Sequence, residues 1–274
     1  MKEDLITNPF SGAVDAHVHI KDHVGLAAVK ATGIVGVRDA GTKDGTGLKA
    51  APEGLRVVSA GWALFKRGGY GGQFGVPVEG RDEIKTEIHK LAAAGVDIIK
   101  VMASGMVSLK EPGRITPGGF DCDEMAFIVD EAGRKGLGVM AHANGEAAIV
   151  AAAAAGVRSI EHGFFMGEAA LATMRERKVY WVPTVGALQR AAGMVALTND
   201  VGAFITRTIE EHLEMILRAF DQGVLIAIGT DCVLPDPNYR EVYLSEVNYF
   251  RQAGIPADAV QRIAREGGRA LLGI

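Results

Sequence analysis

Six residues in this chain carry side chains able to hold divalent cations together: His17, His19, Lys100, His142, His162 and Asp231. Imidazole nitrogens with a carboxylate oxygen suit zinc first, and iron, manganese, nickel or cobalt are acceptable. Lys100 stands in the apolar run Asp97-Ile98-Ile99-Lys100-Val101-Met102, where a bare ammonium is costly to bury. Its ordinary reading is a buried stem whose head snorkels to the surface or pairs with an acid. Its chemical reading is an amine that has lost its proton and reacted with carbon dioxide, giving a carbamate able to bridge two cations. Taken singly, each of the others also has an ordinary explanation. Two histidines on a strand are commonly satisfied core or surface residues, a histidine at a strand end is commonly a cap, and Asp231 in Gly229-Thr230-Asp231 could cap the next helix.

The elements that carry these residues decide between the readings. Short β-like runs at 13–20, 34–38, 56–60, 97–102, 138–142, 159–162, 179–183 and 224–229 alternate with helix-period segments at 24–31, 81–94, 121–135, 145–155, 168–178, 204–222, 240–253 and 256–272. That order predicts parallel strands joined by helical crossovers, and eight of them predict a (β/α)8 barrel, an α/β fold, over a single domain spanning 1–274. The connection at 41–54 holds too many glycines for a helix and is expected to be short or irregular. Asp121 with Glu124 forms an N-terminal capping signature, and Pro256 suits the first turn of the last helix. His17 and His19, two apart on the first strand, point to one side, while Ala16, Val18 and Ile20 give the other side its apolar character. Lys100 lies on the fourth strand, His142 and His162 end the fifth and sixth, and Asp231 follows the eighth. The carboxyl ends of barrel strands form the active-site face. Separate ordinary explanations for all six would have to choose that face independently.

Composition narrows the partners. The chain has 274 residues, 48% of them hydrophobic and 23% charged, enough apolar surface for a large core. A net charge of −4 supplies no field to attract nucleic acid or an anionic membrane, which leaves a small-molecule substrate. Cys122 and Cys232 are too few and too distant for a disulfide framework, and residues 1–11 show neither a basic start nor an apolar stretch of a secretion signal. The apolar segment 147–155 is too short to span a bilayer. A cytoplasmic location is therefore expected.

Asp15-Ala16-His17-Val18-His19, the run from Ile99 to Gly105, Val139-Met140-Ala141-His142, Ser159-Ile160-Glu161-His162-Gly163 and Ile228-Gly229-Thr230-Asp231 resemble the amidohydrolase superfamily over nearly the whole chain. They are most similar to the branch with prolidase-like dipeptidases, arginine/lysine carboxypeptidases and imidazolonepropionase; the run from Val35 to Gly41 and the ending Ala270-Leu271-Leu272-Gly273 fit as well. The resemblance implies a metal-dependent hydrolase cleaving an amide (C–N) bond in a dipeptide, an N-acyl amino acid or a cyclic amide. It implies two divalent ions, zinc foremost. His17 and His19 hold the more buried one, His142 and His162 the more exposed one, Lys100 carbamylated by CO2 bridges them, and Asp231 completes the site. A hydroxide bridging the ions is the implied nucleophile, with Asp231 as catalytic base and then acid.

Two departures qualify that resemblance. Relatives carry a β-sandwich built from segments flanking the barrel, and this sequence offers no room for one, so the expectation is either a barrel-only member, with a homo-oligomer covering its flank, or a fragment of a longer protein. Tyr70 stands in Gly68-Gly69-Tyr70-Gly71-Gly72 where many relatives have a histidine, which makes it a candidate substrate contact or a packing lid. The same ligands also serve a lactonase or phosphotriesterase, since loops select the electrophile. A non-catalytic metal-binding barrel is the alternative from another class. His23, His89 and His212 are read as structural or solvent-facing, and no nucleophile elbow surrounds Ser104 or Cys232.

Overall fold

A computed structural model describes residues 10–48, 51–193 and 199–274. The expectation for the N-terminal segment therefore falls almost wholly outside the described residues, as does part of the glycine-rich connection at 41–54. Every ladder pair between its named strands is parallel. In chain order they are β1 (Val14–Ile20), β2 (Gly36–Asp39), β3 (Arg56–Ser59), β4 (Ala63–Lys66), β5 (Gly75–Val78), β6 (Ile98–Met102), β7 (Gly138–Ala143), β8 (Ser159–His162), β9 (Tyr180–Val182), β10 (Leu225–Ile226) and β11 (Cys232–Leu234). The helices are α1 (Val24–Ala31), α2 (Gly80–Ala94), α3 (Cys122–Gly133), α4 (Glu146–Ala155), α5 (Glu168–Arg177), α6 (Val185–Gly193), α7 (Asn199–Asp221), α8 (Tyr239–Gln252), α9 (Ala257–Arg262) and α10 (Gly268–Leu272).

The ladders run in two groups, β11-β1-β2-β3 and β10-β9-β8-β7-β6-β4-β5. Two barrel strands change partner in midcourse, and that splits the ladder. The third is broken into β3, which pairs with β2, and β4, which pairs with β6; the eighth is broken into β10, on β9, and β11, on β1. Single backbone bonds stitch the seams: Asp97 N–H to the Ser59 carbonyl at 2.9 Å and Ala16 N–H to the Ile228 carbonyl at 2.8 Å. The strands thus follow (β/α)8 order in two ladders linked at these seams, with β5 added outside β4. Periodicity found all eight strands but not their breaks, and it missed β5, α6 and the first turn of α7. The predicted final helix is divided by a π-helical turn at Ile263–Gly267, and Pro256 is the cap of α9 rather than its first residue. Between β2 and β3 the described chain forms only a short 3-10 turn at Thr46–Leu48.

The large apolar cluster lies between ring and helices: Val18 and Ile20 of β1 meet Leu26 and Val29 of α1, and Ile84, Ile88 and Leu91 line the inner stripe of α2. Asp121 caps α3 by accepting from Glu124 N–H at 2.9 Å, and the Glu124 side chain reaches back. Inside the ring two small clusters, one around Val58 and Met140 and one around Ala16 and Val182, both pack on Leu272, which floors the barrel. Among the described residues no β-sandwich accompanies the barrel, and no helix is long and apolar enough to cross a membrane.

Gly229 marks the break in strand eight, where a Cβ would lie 2.4 Å from Val182 Cγ1 and 2.8 Å from His17 Cβ. Gly229→Ala is expected to cost about 1–3 kcal/mol in denaturant unfolding, because overpacking there displaces β1; unchanged stability would show that the strand break tolerates a side chain.

Candidate metal centre

The mouth is built from strand ends. His17 Nε2 and His19 Nε2 converge on one oxygen of Asp231, at 3.3 and 3.2 Å. The three residues offer ligand atoms within 4.8 Å of one another. His19 Nδ1 donates to the Gly41 carbonyl at 2.6 Å, and His17 Nδ1 donates to Glu161 Oε2 at 2.7 Å, so both rings turn an unprotonated Nε2 inward. His17 Nε2 is buried without a hydrogen bond. Two lone pairs aimed at a carboxylate oxygen form an unfavourable set by themselves and a favourable one around a cation, so these donors fit a metal.

The other imidazoles adjoin them. The His162 ring centroid is 5.2 Å from that of His17 and 4.6 Å from that of His142. His162 Nδ1 is 2.6 Å from Thr184 Oγ1, which leaves Nε2 open; His142 Nε2 donates to the Gly105 carbonyl at 3.0 Å, which leaves Nδ1. Backbone strain places them. His162 (φ 68), Thr184 (φ 47) and Asp231 (φ 54) all occupy the left-handed region without being glycine, a conformation that surrounding structure must enforce. For Asp231 the enforcement is its own N–H on the His17 carbonyl at 2.7 Å, together with Thr230, whose N–H and hydroxyl both donate to buried Asp15.

Electrostatics leave His142 and His162 in ligand form. Burial, with Lys100 adding to it, lowers His142 to about 3, and burial with His142 nearby lowers His162 well below the usual imidazole range. Burial alone would raise Asp231, but it is coupled to His17, which Asp231 and Glu161 raise against burial, and that coupling holds Asp231 well below the usual carboxylate range. Lys100, 1% exposed, is lowered by burial to about 8 against the pull of Glu161 and Asp231. A lysine so placed has an appreciable neutral fraction near pH 7.

Sequence reading named these six but not their supports. Glu161 is fully buried on β8, gripped by Arg38 of β2 at 2.8 and 3.0 Å, and Arg38 continues to the Ala16 carbonyl and Ser159 Oγ. Burial would raise Glu161, but Arg38, with His17 and Lys100, outweighs it and takes Glu161 down to about 2. The available signal was period two: Ser159 and Glu161 share a face of β8, pointing inward beside His17. Phe74, stacked on His19 at 4.1 Å, and Asn144, whose Oδ1 accepts from Phe164 N–H and whose amide donates to the Gly105 carbonyl, carried no such signal because loops brought them in.

A cavity of about 830 Å³ opens above the histidines. Tyr70 lines it, with its ring 5.0 Å from that of His142, and burial raises its phenol so that it stays protonated. Apolar walls come from Met102, Met106, Val107, Leu109, Phe164 and Leu188. Of the remaining histidines, His212 is buried between Phe164 and Trp181, and His23 meets the Thr46 carbonyl; both serve structure.

Fold and cluster together define a parallel α/β barrel with a candidate metal centre at its C-terminal mouth. The chain belongs to the amidohydrolase family, which matches residues 10–267. It is 28% identical over 216 residues to an ochratoxinase of Aspergillus niger, covering 69% of this chain and 45% of that protein. The chain thus spans about half the length of the curated relatives it matches. Among solved structures, a Xaa-Pro dipeptidase with methionine in its active site shares 22% identity (TM-score 0.78, covering 96% of this chain and 75% of that one). The A. niger ochratoxinase structure shares 24% (TM-score 0.75, covering 96% and 71%). At these identities the two structures show a common fold.

Glu161→Gln keeps the shape but removes the charge that orients His17. Zinc affinity, measured by competition with a chromogenic chelator, is expected to fall about 10–100-fold; unaltered affinity would show that Glu161 does not tune the cluster.

Proposed function

We propose that this chain is a metal-dependent hydrolase that cleaves an amide bond in a small substrate. The observation that carries the reading is the convergence of two buried, correctly polarised imidazoles on Asp231, beside two further neutral histidines and Lys100, at the mouth of an amidohydrolase-family barrel. Kinship with ochratoxinase and the shared fold of a dipeptidase support an amide as the bond. His17, His19, His142, His162 and Asp231 would hold two divalent ions, zinc by the chemistry of the donors, with Lys100 as a carbamate between them. Ions bound there supply Lewis-acid polarisation of a carbonyl and a water acidified towards a pKa of about 7.

The chain's own groups do the rest. Asp231 is partly exposed to the cavity, ionised and anchored through its backbone, so it accepts the proton of the attacking water and passes it to the departing nitrogen. Glu161, Gly41, Gly105 and Thr184 fix the four rings by their outward nitrogens. Lys100 loses a proton from its depressed ammonium, and the neutral nitrogen attacks CO2; one N–C bond forms and a second proton leaves, giving the carbamate anion. Tyr70 remains a phenol and donates a hydrogen bond to substrate oxygen.

Asp231→Asn is expected to lower kcat on any hydrolysed amide by about 10²–10⁴-fold with an unchanged circular dichroism spectrum. Stripping with chelator should abolish turnover, and zinc should restore it. Hydrolysis of lactones or phosphotriesters without any dipeptide or N-acyl amino acid would overturn the amide reading. For Lys100, protein refilled with zinc in 13C-bicarbonate should show a carbamate carbon resonance that Lys100→Met lacks; an identical spectrum for the two removes the carbamate.

A further inference from the structure

Glu246 of α8 is a fully buried carboxylate that the reaction described above does not use. Burial pushes it up to about 8 against the pull of Gly186 N–H, Arg190 and Val185 N–H. An acid kept from water at such cost is held there by its partners, and those partners are all backbone. Oε2 accepts from Val185 N–H at 3.0 Å and Oε1 from Gly186 N–H at 2.6 Å. These are the first two N–H groups of α6, which have no acceptor within their own helix. The third, Ala187 N–H, bonds the Thr184 carbonyl at 3.0 Å.

The start of α6 is therefore satisfied without the side chain of Thr184, the residue in the capping position. A capping threonine ordinarily has an extended backbone and folds its hydroxyl over the first turn. Thr184 is instead left-handed (φ 47), and its hydroxyl oxygen lies 2.6 Å from His162 Nδ1. Gly186 lets the carboxylate in, because a Cβ there would lie 2.7 Å from Glu246 Oε1 and 2.9 Å from Arg190 Nη1. The helix that carries Glu246 is itself fixed. Tyr239 and Tyr243, one and two turns earlier on its buried face, donate to Asp15 Oδ2 at 3.0 Å and to the Val14 carbonyl at 3.2 Å. His142, the neighbour of His162, is braced separately by the Gly105 carbonyl. Gly105 is the root of the hairpin between β6 and α3, where Thr116 N–H bonds the Met106 carbonyl.

We propose that Glu246 is a positioning residue: it caps α6 in place of Thr184 and so leaves the Thr184 hydroxyl to orient His162, Nε2 towards the cation. Its purpose rests on the metal-dependent hydrolase reading, and its geometry does not. Without the carboxylate, two N–H groups at a buried helix end lose their acceptor. The hydroxyl of the capping residue is the local replacement, and by turning to α6 it releases the His162 ring. Glu246→Gln keeps the shape of the side chain but sets an amide donor against one of those N–H groups.

The test reads the imidazoles of 15N-histidine-labelled, zinc-free protein by long-range 1H–15N NMR, which separates protonated from bare ring nitrogens. In the parent, the His162 proton is expected on Nδ1. In Glu246→Gln it is expected to spread over both nitrogens, while His19 and His142, held by backbone carbonyls, keep theirs. Thr184→Ala should match Glu246→Gln, the double variant should go no further, and Thr184→Ser should keep the parent pattern. In chelator competition, the weaker of two zinc equivalents is expected to lose about tenfold in affinity in Glu246→Gln, Thr184→Ala and the double variant alike, with the tighter one changed less than about twofold. An unaltered His162 tautomer in folded Glu246→Gln, or losses that add in the double variant, overturns the assignment. If Glu246→Gln does not fold, Gly186→Ala, whose methyl displaces the carboxylate from α6, takes its place and is read in the same way. Protein that takes up no zinc strikes the metal-dependent hydrolase reading, and the zinc-free tautomer still judges Glu246.

Discussion

The arrangement at the barrel mouth depends on one buried ion pair, Arg38 with Glu161. Both side chains are removed from water, and each carries a charge that would be expensive alone. Their contact adds little net stability, since desolvation offsets most of the attraction, but it fixes geometry. Arg38 reaches from β2 to a β1 carbonyl and to two side chains of β8, so three strands share one guanidinium. Glu161 passes that fixed position on to His17, whose Nδ1 proton it accepts. A histidine held by a carboxylate has one tautomer and one orientation, and its other nitrogen becomes a better donor to a cation.

Above this layer the backbone does what side chains cannot. His162, Thr184 and Asp231 are held in left-handed conformations where strands β8, β9 and the eighth barrel strand end. Such conformations cost of order 1–3 kcal/mol each and persist because hydrogen bonds from neighbouring strands leave no alternative. The break between β10 and β11 belongs to the same economy of space. Gly229 lies so close to β1 that Asp231 N–H can bond the His17 carbonyl, which brings the carboxylate down onto the two histidines.

Loops then decide what may approach. The His142 ring is braced by Gly105, the root of the hairpin that also forms the cavity's apolar wall. The neighbouring loop after β4 stacks Phe74 on His19 and sets Tyr70 beside His142. The histidine rings and the cavity walls are therefore in direct contact, so a change in either loop reaches the cluster through a single residue. In a barrel of this kind the strand ends carry the polar groups of the site and the loops shape what approaches them.

The sequence by itself determined the parallel α/β barrel and the six residues to watch, because period-two strands, helical stripes and strand-end positions are local properties. His17 and His19 share a face at any strand twist, and a lysine inside an apolar run is conspicuous wherever the chain folds. Glu161 and Arg38 were equally local in spacing, but their meaning came from 123 residues of separation closing to 2.8 Å, which no local pattern encodes. The strand breaks at β3/β4 and β10/β11 were hidden for a similar reason: a ladder partner is a tertiary fact, and the residues at a break read as ordinary strand and turn. Tertiary structure alone also sorted the cations of the mouth. Lys66, Arg67 and Arg190 look alike in sequence, and only packing gives them Glu124, Glu79 with Glu83, and the Thr230 carbonyl as partners, since a charge's availability depends on what surrounds it.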